Sequence, residues 1–253
     1  MTGILGAKHL REMTRVVIGT LRSVGALLFL VVTIPIAALI AFPWTFITGK
    51  AGFLYWLGMR LAYSGPRFAG ARVKIVGLDK IDPSGTYIFM SNHVSNLDPL
   101  ILCPLIPGRT SILAKKAIWR IPILGKALDL AEIVPVEREN RESAIQSIRR
   151  AGEVMRHHIH VTLFPEGTRS RDGRLLPFKK GPFHLAGETG FPVVPVTILG
   201  TYEMMPKGQA IVRSGTATLV FHSPIDPKQF PTREELTQAV WSAINSALPP
   251  QRQ

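Results

Sequence analysis

A histidine and an aspartate five residues apart stand where this chain could do chemistry. The segment Ser91-Asn92-His93-Val94-Ser95-Asn96-Leu97-Asp98-Pro99 follows the apolar run Tyr87–Met90, which places the pair on a polar loop at a strand end. Five residues is poor spacing for one helix face, but it suits a turn followed by the first helical residues. Asp98 can then accept from one ring nitrogen of His93, fix the tautomer, and leave the other nitrogen as a base. The same residues also fit a plain helix cap, with Asn96 or Asp98 capping and His93 in the loop. A second apolar run, Val161–Phe164, ends in Pro165-Glu166-Gly167-Thr168-Arg169-Ser170. Turn formers and opposite charges at the end of a buried strand mark a place where an anion binds in an open α/β sheet. Arg169 offers a fork for phosphate oxygens, and Lys179 and Lys180 add two point charges near the start of a short helix. Read blandly, Glu166 and Arg169 are a local salt bridge worth at most ~1 kcal/mol if exposed.

These loops need strands and helices to hold them. Apolar runs consistent with strands occur at Arg72–Val76, Tyr87–Met90, Ser111–Ala114, Ile133–Val136, Val161–Phe164, Val193–Leu199 and Thr216–Phe221. Between them lie helical patterns. Asn140 can cap a helix with Ala144, Ile145, Ile148 and Met155 on one face and Arg141, Arg149, Arg150 and Arg156 away from it. Thr232-x-x-Glu235 is a capping box for a helix carrying Leu236, Val240 and Ile244. Alternation of strands and helices predicts an α/β domain with a mostly parallel central sheet flanked by helices, over residues 69–253.

The first 68 residues are of another kind. From Val24 to Ile47 the chain carries no charge, and as one helix this run would rise roughly 36 Å, enough to cross a bilayer core. Pro35 in its middle is expected to kink or break the helix. A single spanning helix fits the length; a re-entrant anchor fits the proline and the basic residues on both flanks. Ala51–Phe68, with Phe53, Tyr55, Trp56, Tyr63, Arg60 and Arg67, suits an interfacial helix. Residues 1–68 therefore read as an N-terminal helical membrane anchor. Charge agrees: of 253 residues, 30 are Lys or Arg and 17 Asp or Glu, a net +13, and nine basic side chains face one acidic one in the first 78. Hydrophobic residues at 46% exclude a disordered basic tail, so the charge reads as a surface for an anionic partner. The single cysteine, Cys103, excludes an internal disulfide and reads as a small core residue.

Together the two loops resemble sequence blocks of the glycerolipid acyltransferases, closest to those that acylate 1-acylglycerol-3-phosphate. Asn92-His93-x4-Asp98 is similar to the first block and Phe164-Pro165-Glu166-Gly167-Thr168-Arg169 to the third. Ile133-Val134-Pro135-Val136-Glu137-Arg138 resembles the second, with its aromatic missing and Glu137 where the family usually has Asp, and Val193-Val194-Pro195-Val196 resembles the fourth. The likeness covers about residues 70 to 200.

The resemblance implies transfer of an acyl chain from an acyl thioester, on coenzyme A or acyl carrier protein, to the sn-2 hydroxyl of lysophosphatidic acid, giving phosphatidic acid. It implies His93 as base and Asp98 as its orienting partner. Arg138, Arg169, Lys179 and Lys180 would hold the acceptor phosphate, while Glu166, Gly167 and Thr168 shape the loop or meet the glycerol. The thioester is already activated, so no metal or redox cofactor is called for. Another acceptor (glycerol-3-phosphate, another lysophospholipid, a lyso-aminolipid) and a non-catalytic lipid-binding protein remain the competing readings. No G-x-S-x-G elbow, Walker loop or G-x-G-x-x-G occurs. His157, His158 and His160 read as solvent-facing residues at a helix–strand junction rather than metal ligands. The apolar anchor beside the basic third points to lipid headgroups rather than nucleic acid. The expected location is the cell (inner) membrane, with the catalytic domain on its cytoplasmic face.

Overall fold

The seven apolar runs form seven strands because each is short, rich in branched or aromatic residues and closed by turn formers. A computed structural model, describing residues 2–137 and 140–252, places them as β1 (Ala71–Val76), β2 (Ile88–Ser91), β3 (Thr110–Lys115), β4 (Val134–Val136), β5 (His160–Leu163), β6 (Val193–Leu199) and β7 (Gly215–Phe221). They make one sheet in the order β1-β7-β6-β2-β5-β3-β4. Strands β6, β2, β5, β3 and β4 are parallel to one another; β7 pairs antiparallel with β6, and β1 runs parallel to β7.

Period-two alternation divides the side chains between two cores. Phe89 faces one with Val194, Val196, Leu219 and Phe221, covered by Ile101 and Leu102 of α3 (Leu97–Leu102). Ile88 and Met90 face the other with Val161 and Leu163. That side is covered by α5 (Arg141–Met155), α6 (Lys180–Thr189) and α8 (Arg233–Ser246). The short α4 (Leu124–Leu130) and α7 (Thr201–Met204) fill connections. Both expected caps form: the Asn140 side chain accepts from the Ser143 N–H, and the Thr232 hydroxyl accepts from the Glu235 N–H. One assignment on α5 is corrected. Ile145, expected on the buried face, is 44% exposed, and Ile148, Ala151 and Met155 carry the packing.

The N-terminal segment is a helical hairpin. Helix α1 (Thr2–Thr48) passes through Pro35 and Pro43 unbroken, against the expected interruption. The reason is packing on both sides of the prolines. Helix α2 (Gly52–Phe68) runs back along α1, stacking Phe68 on Phe29, setting Gly65 beneath Leu30 and meeting Trp44 with Phe53. Contacts from residue 29 to residue 44 offset the missing backbone donor, whose loss costs ~3 kcal/mol. Within α1, Val16–Thr48 is long and apolar enough to cross a membrane, and only 11% of its most apolar window is buried. The outward face exposes Leu21, Leu28, Val32, Leu39 and Ile47. The inward face and α2 roof an apolar cavity of about 400 Å³ whose walls include Ile34, Ala38, Leu61, Leu100, Cys103 and Ile133. Burial pushes the Cys103 thiol up to about 12, which fits an inert wall residue.

His160 departs from the solvent-facing expectation. As the first residue of β5 it is 6% exposed, and its ring lies against Tyr87 and edge-on to Phe89. Nδ1 accepts from the Tyr87 N–H at 3.1 Å, and Nε2 donates to the Pro107 carbonyl at 2.9 Å, a pairing that requires the neutral ring. Burial, opposed by the Pro107 carbonyl, lowers its pKa from the ordinary 6.5. The unfolded chain therefore binds this proton more readily, and stability present above pH 6.5 is lost as pH falls toward the folded-state value. Burial and Lys80 lower His222 in the same sense. We expect urea midpoints to fall between pH 7.5 and 5.5, and His160→Gln to fall less. Equal falls in the two proteins would remove His160 from the account.

Candidate active site

The carboxyl ends of β2, β5 and β6 gather the sequence-predicted residues. Asn92, directly after β2, has its amide clasped to β6: its NH₂ donates to the Ile198 carbonyl at 2.9 Å and its oxygen accepts from the Ile198 N–H at 2.7 Å. This fixes the strand end from which His93 emerges. The chain then turns tightly enough for Asp98, in the first turn of α3, to reach back. Its Oδ2 lies 2.8 Å from His93 Nδ1 and accepts from the Val94 and Ser95 N–H groups, each at 2.8 Å. A carboxylate only accepts, so the first contact sets the proton on Nδ1 and leaves Nε2 with its lone pair. Asp98 is fully buried and His93 is 7% exposed. The imidazole stacks on Phe164, ring centroids 4.1 Å apart, which fixes its plane. Asn96 makes no side-chain cap to α3.

The loop after β5 abuts the histidine loop. Glu166 points inward and is 1% exposed. Its Oε1 accepts from the His93 N–H at 2.6 Å and its Oε2 from the Leu176 N–H at 3.0 Å, so one carboxylate ties the histidine loop to the turn beyond Arg169. Burial pushes its pKa up to about 8 against the pull of those two N–H groups. No Glu166–Arg169 bridge forms, which corrects the bland reading of that pair. The Ser170 N–H donates to the His93 carbonyl at 2.8 Å, a second tie between the loops. Gly167 has φ +70°, and a Cβ there would stand 3.3 Å from Lys179 Cγ; glycine lets the Lys179 chain lie against the turn. The Lys179 N–H donates to the Pro165 carbonyl at 2.7 Å.

Basic side chains line this edge. Thr168 is exposed, Arg169 half-buried, and Lys179 and Lys180 exposed at the start of α6. The Arg169 guanidinium has no acidic partner among the described residues. Lys207, which the sequence reading passed over, donates from Nζ to the Thr168 hydroxyl and the Arg169 carbonyl, each at 3.0 Å. Its only sequence signal was a lysine in the Pro206-Lys207-Gly208 turn. Ser95 of the histidine loop is a tether rather than a nucleophile: its hydroxyl donates to the Met205 carbonyl at 2.7 Å. Lys116 pairs with Glu137 at 2.9 Å on the surface. Arg138 lies outside the described residues. The three histidines at the α5–β5 junction do not converge, and no group of metal-ligating side chains occurs among the described residues.

A buried carboxylate, an imidazole held through one nitrogen and a guanidinium with no acidic partner among the described residues, all at one sheet edge, are chemically able to deprotonate a hydroxyl and hold an anion. Comparison with known proteins points the same way. The Acyltransferase family profile matches residues 72–199, which contain both loops. The chloroplastic 1-acyl-sn-glycerol-3-phosphate acyltransferase of Brassica napus is 40% identical over 157 residues, 61% of this chain and 45% of that one. The human 1-acyl-sn-glycerol-3-phosphate acyltransferase alpha is 32% identical over 62% of this chain and 56% of its own. The chain thus spans about half the length of these relatives. The solved 1-acyl-sn-glycerophosphate (LPA) acyltransferase of Thermotoga maritima superposes with a TM-score of 0.81 at 27% identity, covering 92% of this chain and 95% of that one. A profile match over half the chain, spanning both loops at this edge, means that this protein belongs to the Acyltransferase family.

Proposed function

We propose that the protein transfers an acyl chain from an acyl thioester to the sn-2 hydroxyl of lysophosphatidic acid, making phosphatidic acid for phospholipid synthesis. The single observation that carries this reading is the His93–Asp98 contact at 2.8 Å, with Nε2 left free beside the Arg169 loop. His93 Nε2 takes the hydroxyl proton as the oxygen attacks the thioester carbonyl. The C–O bond forms, the C–S bond breaks, and His93 returns the proton to the departing thiolate. Asp98 holds the ring and stabilises the imidazolium between those steps. Arg169, with Lys179, Lys180 and Arg138, binds the acceptor phosphate, and Lys207 holds Thr168 and the Arg169 backbone in place. Gly167 and Thr168 shape the loop, and Glu166 acts from behind it. The apolar cavity beside α3 suits an acyl chain. The donor is acyl-CoA or acyl carrier protein; its thioester supplies the activation, so no metal or redox cofactor takes part. The exposed apolar face of α1 supports attachment to a bilayer through residues 1–68, with residues 69–253 as the catalytic domain. The site we propose is the cytoplasmic face of the cell membrane.

The test is thiol release from oleoyl-CoA by the full chain in detergent, with and without lysophosphatidate. Lysophosphatidate-dependent release is expected. Release indifferent to any acceptor would mean a thioesterase and end this reading. In the same assay Arg169→Ala is expected to raise acceptor KM about 10- to 100-fold, the loss of a charged hydrogen bond of ~1.5–3 kcal/mol. An unchanged KM would take the phosphate away from Arg169.

A further inference from the structure

Three arginines from three separate elements converge on a polar pocket of about 540 Å³ that takes no part in the chemistry above. Arg22 comes from α1, Arg67 from the last turn of α2 and Arg72 from β1, and Ser214 and Thr216 add hydroxyls. No carboxylate lines it, and none of the three arginines has an acidic partner among the described residues. Like charges gathered without a counter-charge repel, so an anion is the missing complement.

Two details show that the pocket is built rather than accidental. Arg22 Nη1 donates to the Ser214 hydroxyl at 2.8 Å, which aims the guanidinium. Gly70, at φ +100°, leaves room for that contact: a Cβ there would stand 2.4 Å from Ser214 Oγ and 3.2 Å from Arg22 Nη1. A side chain at Gly70 would thus displace both partners.

The pocket also has a definite place relative to the base. Ala71 of β1 pairs with Gly215 of β7, Leu199 at the end of β6 pairs with Thr218, and Ile198 is clasped by Asn92. It therefore opens on the same sheet edge as His93. β1 lies three strand spacings from β2, ~14 Å, too far for one phosphate to serve both sites. The surroundings are apolar: Phe68, 58% exposed, lines the pocket, and Leu21, 68% exposed, adjoins Arg22 on α1. Phosphate chemistry beside exposed hydrocarbon describes an anionic glycerophospholipid better than a soluble phosphate.

We propose that this pocket seats the phosphate of an anionic phospholipid headgroup in the leaflet and so holds the active edge against the bilayer. The inference does not depend on acyl transfer, and its test involves no turnover.

Binding of short-chain dihexanoyl phosphatidylglycerol to the full chain would be titrated beside inorganic phosphate and coenzyme A. A saturable site is expected for the lipid, weakened at least tenfold in R22Q/R67Q/R72Q and clearly weakened in R22K/R67K/R72K, since lysine keeps the charge but loses the fork. Flotation with phosphatidylcholine vesicles containing phosphatidylglycerol should fall about fivefold per arginine removed, from ~1 kcal/mol each. R149Q/R150Q/R156Q, on α5 and its C-cap, should float like wild type. The proposal is overturned if no saturable lipid binding occurs, or if the lysine variant binds as wild type does, which would mean diffuse charge. It is equally overturned if coenzyme A or phosphate binds as tightly as the lipid and displaces it, which would mean a soluble-phosphate site.

Discussion

His93→Ala is expected to lower kcat for acyl transfer by ~10²–10⁴ with acceptor KM little changed, because general-base assistance acts in the transition state rather than on binding. The fold should survive. Asp98 would keep its bonds to the Val94 and Ser95 N–H groups, and Glu166 would keep the backbone N–H of residue 93. What goes is the ring stacked on Phe164 and, with it, the nitrogen proposed to take the hydroxyl proton. Steady-state kinetics with circular dichroism would decide. A folded variant within tenfold of wild type would require another base.

The second large effect belongs to Asp98, and it splits in two. Asp98→Asn keeps an oxygen for the three donors but loses the charge that stabilises the imidazolium. In triad enzymes that change costs ~10⁴ in kcat, and a loss of ~10³–10⁴ with little change in Tm is expected here. Asp98→Ala orphans two buried backbone N–H groups as well as the ring. A penalty of ~3 kcal/mol follows, which lowers Tm by about 6–12 °C for a chain of this size. The contrast with His93→Ala is diagnostic: the two alanine variants should be similarly inactive and differ in melting temperature. Equal melting temperatures would mean that Asp98 does not hold the loop together.

Much of this architecture is legible in the sequence, and particular residues show why. Buried parallel strands must be apolar on both faces, so runs such as Val193–Leu199 stand out without any partner in view. Asn140 and Thr232 announce their helices because a cap is a local contact spanning three residues. Strand order has no such signature. Nothing in Arg72–Val76 says that it pairs with β7 at the sheet margin, or that β7 runs against β6. Glu166 illustrates the limit inside the site. Its two partners are backbone N–H groups, which every residue but proline offers, and one of them is 73 positions away. Lys207 escapes for a related reason, since a lone lysine in a turn acquires meaning only through Thr168. His160 and Pro35 mislead in opposite directions. Tertiary packing buried the one and carried a helix through the other, and neither neighbourhood is encoded nearby.

The hairpin that roofs the cavity has a practical consequence for anyone wanting a soluble enzyme. Residues of α1 such as Ile34 and Ala38 are wall material on one side, while neighbours such as Val32 and Leu39 lie open on the other. Trimming α1 away to improve solubility would therefore unroof the apolar chamber at the same stroke. Handling properties and apolar chamber are two faces of one helix, and solubility is better sought by repainting its outer residues than by cutting it off.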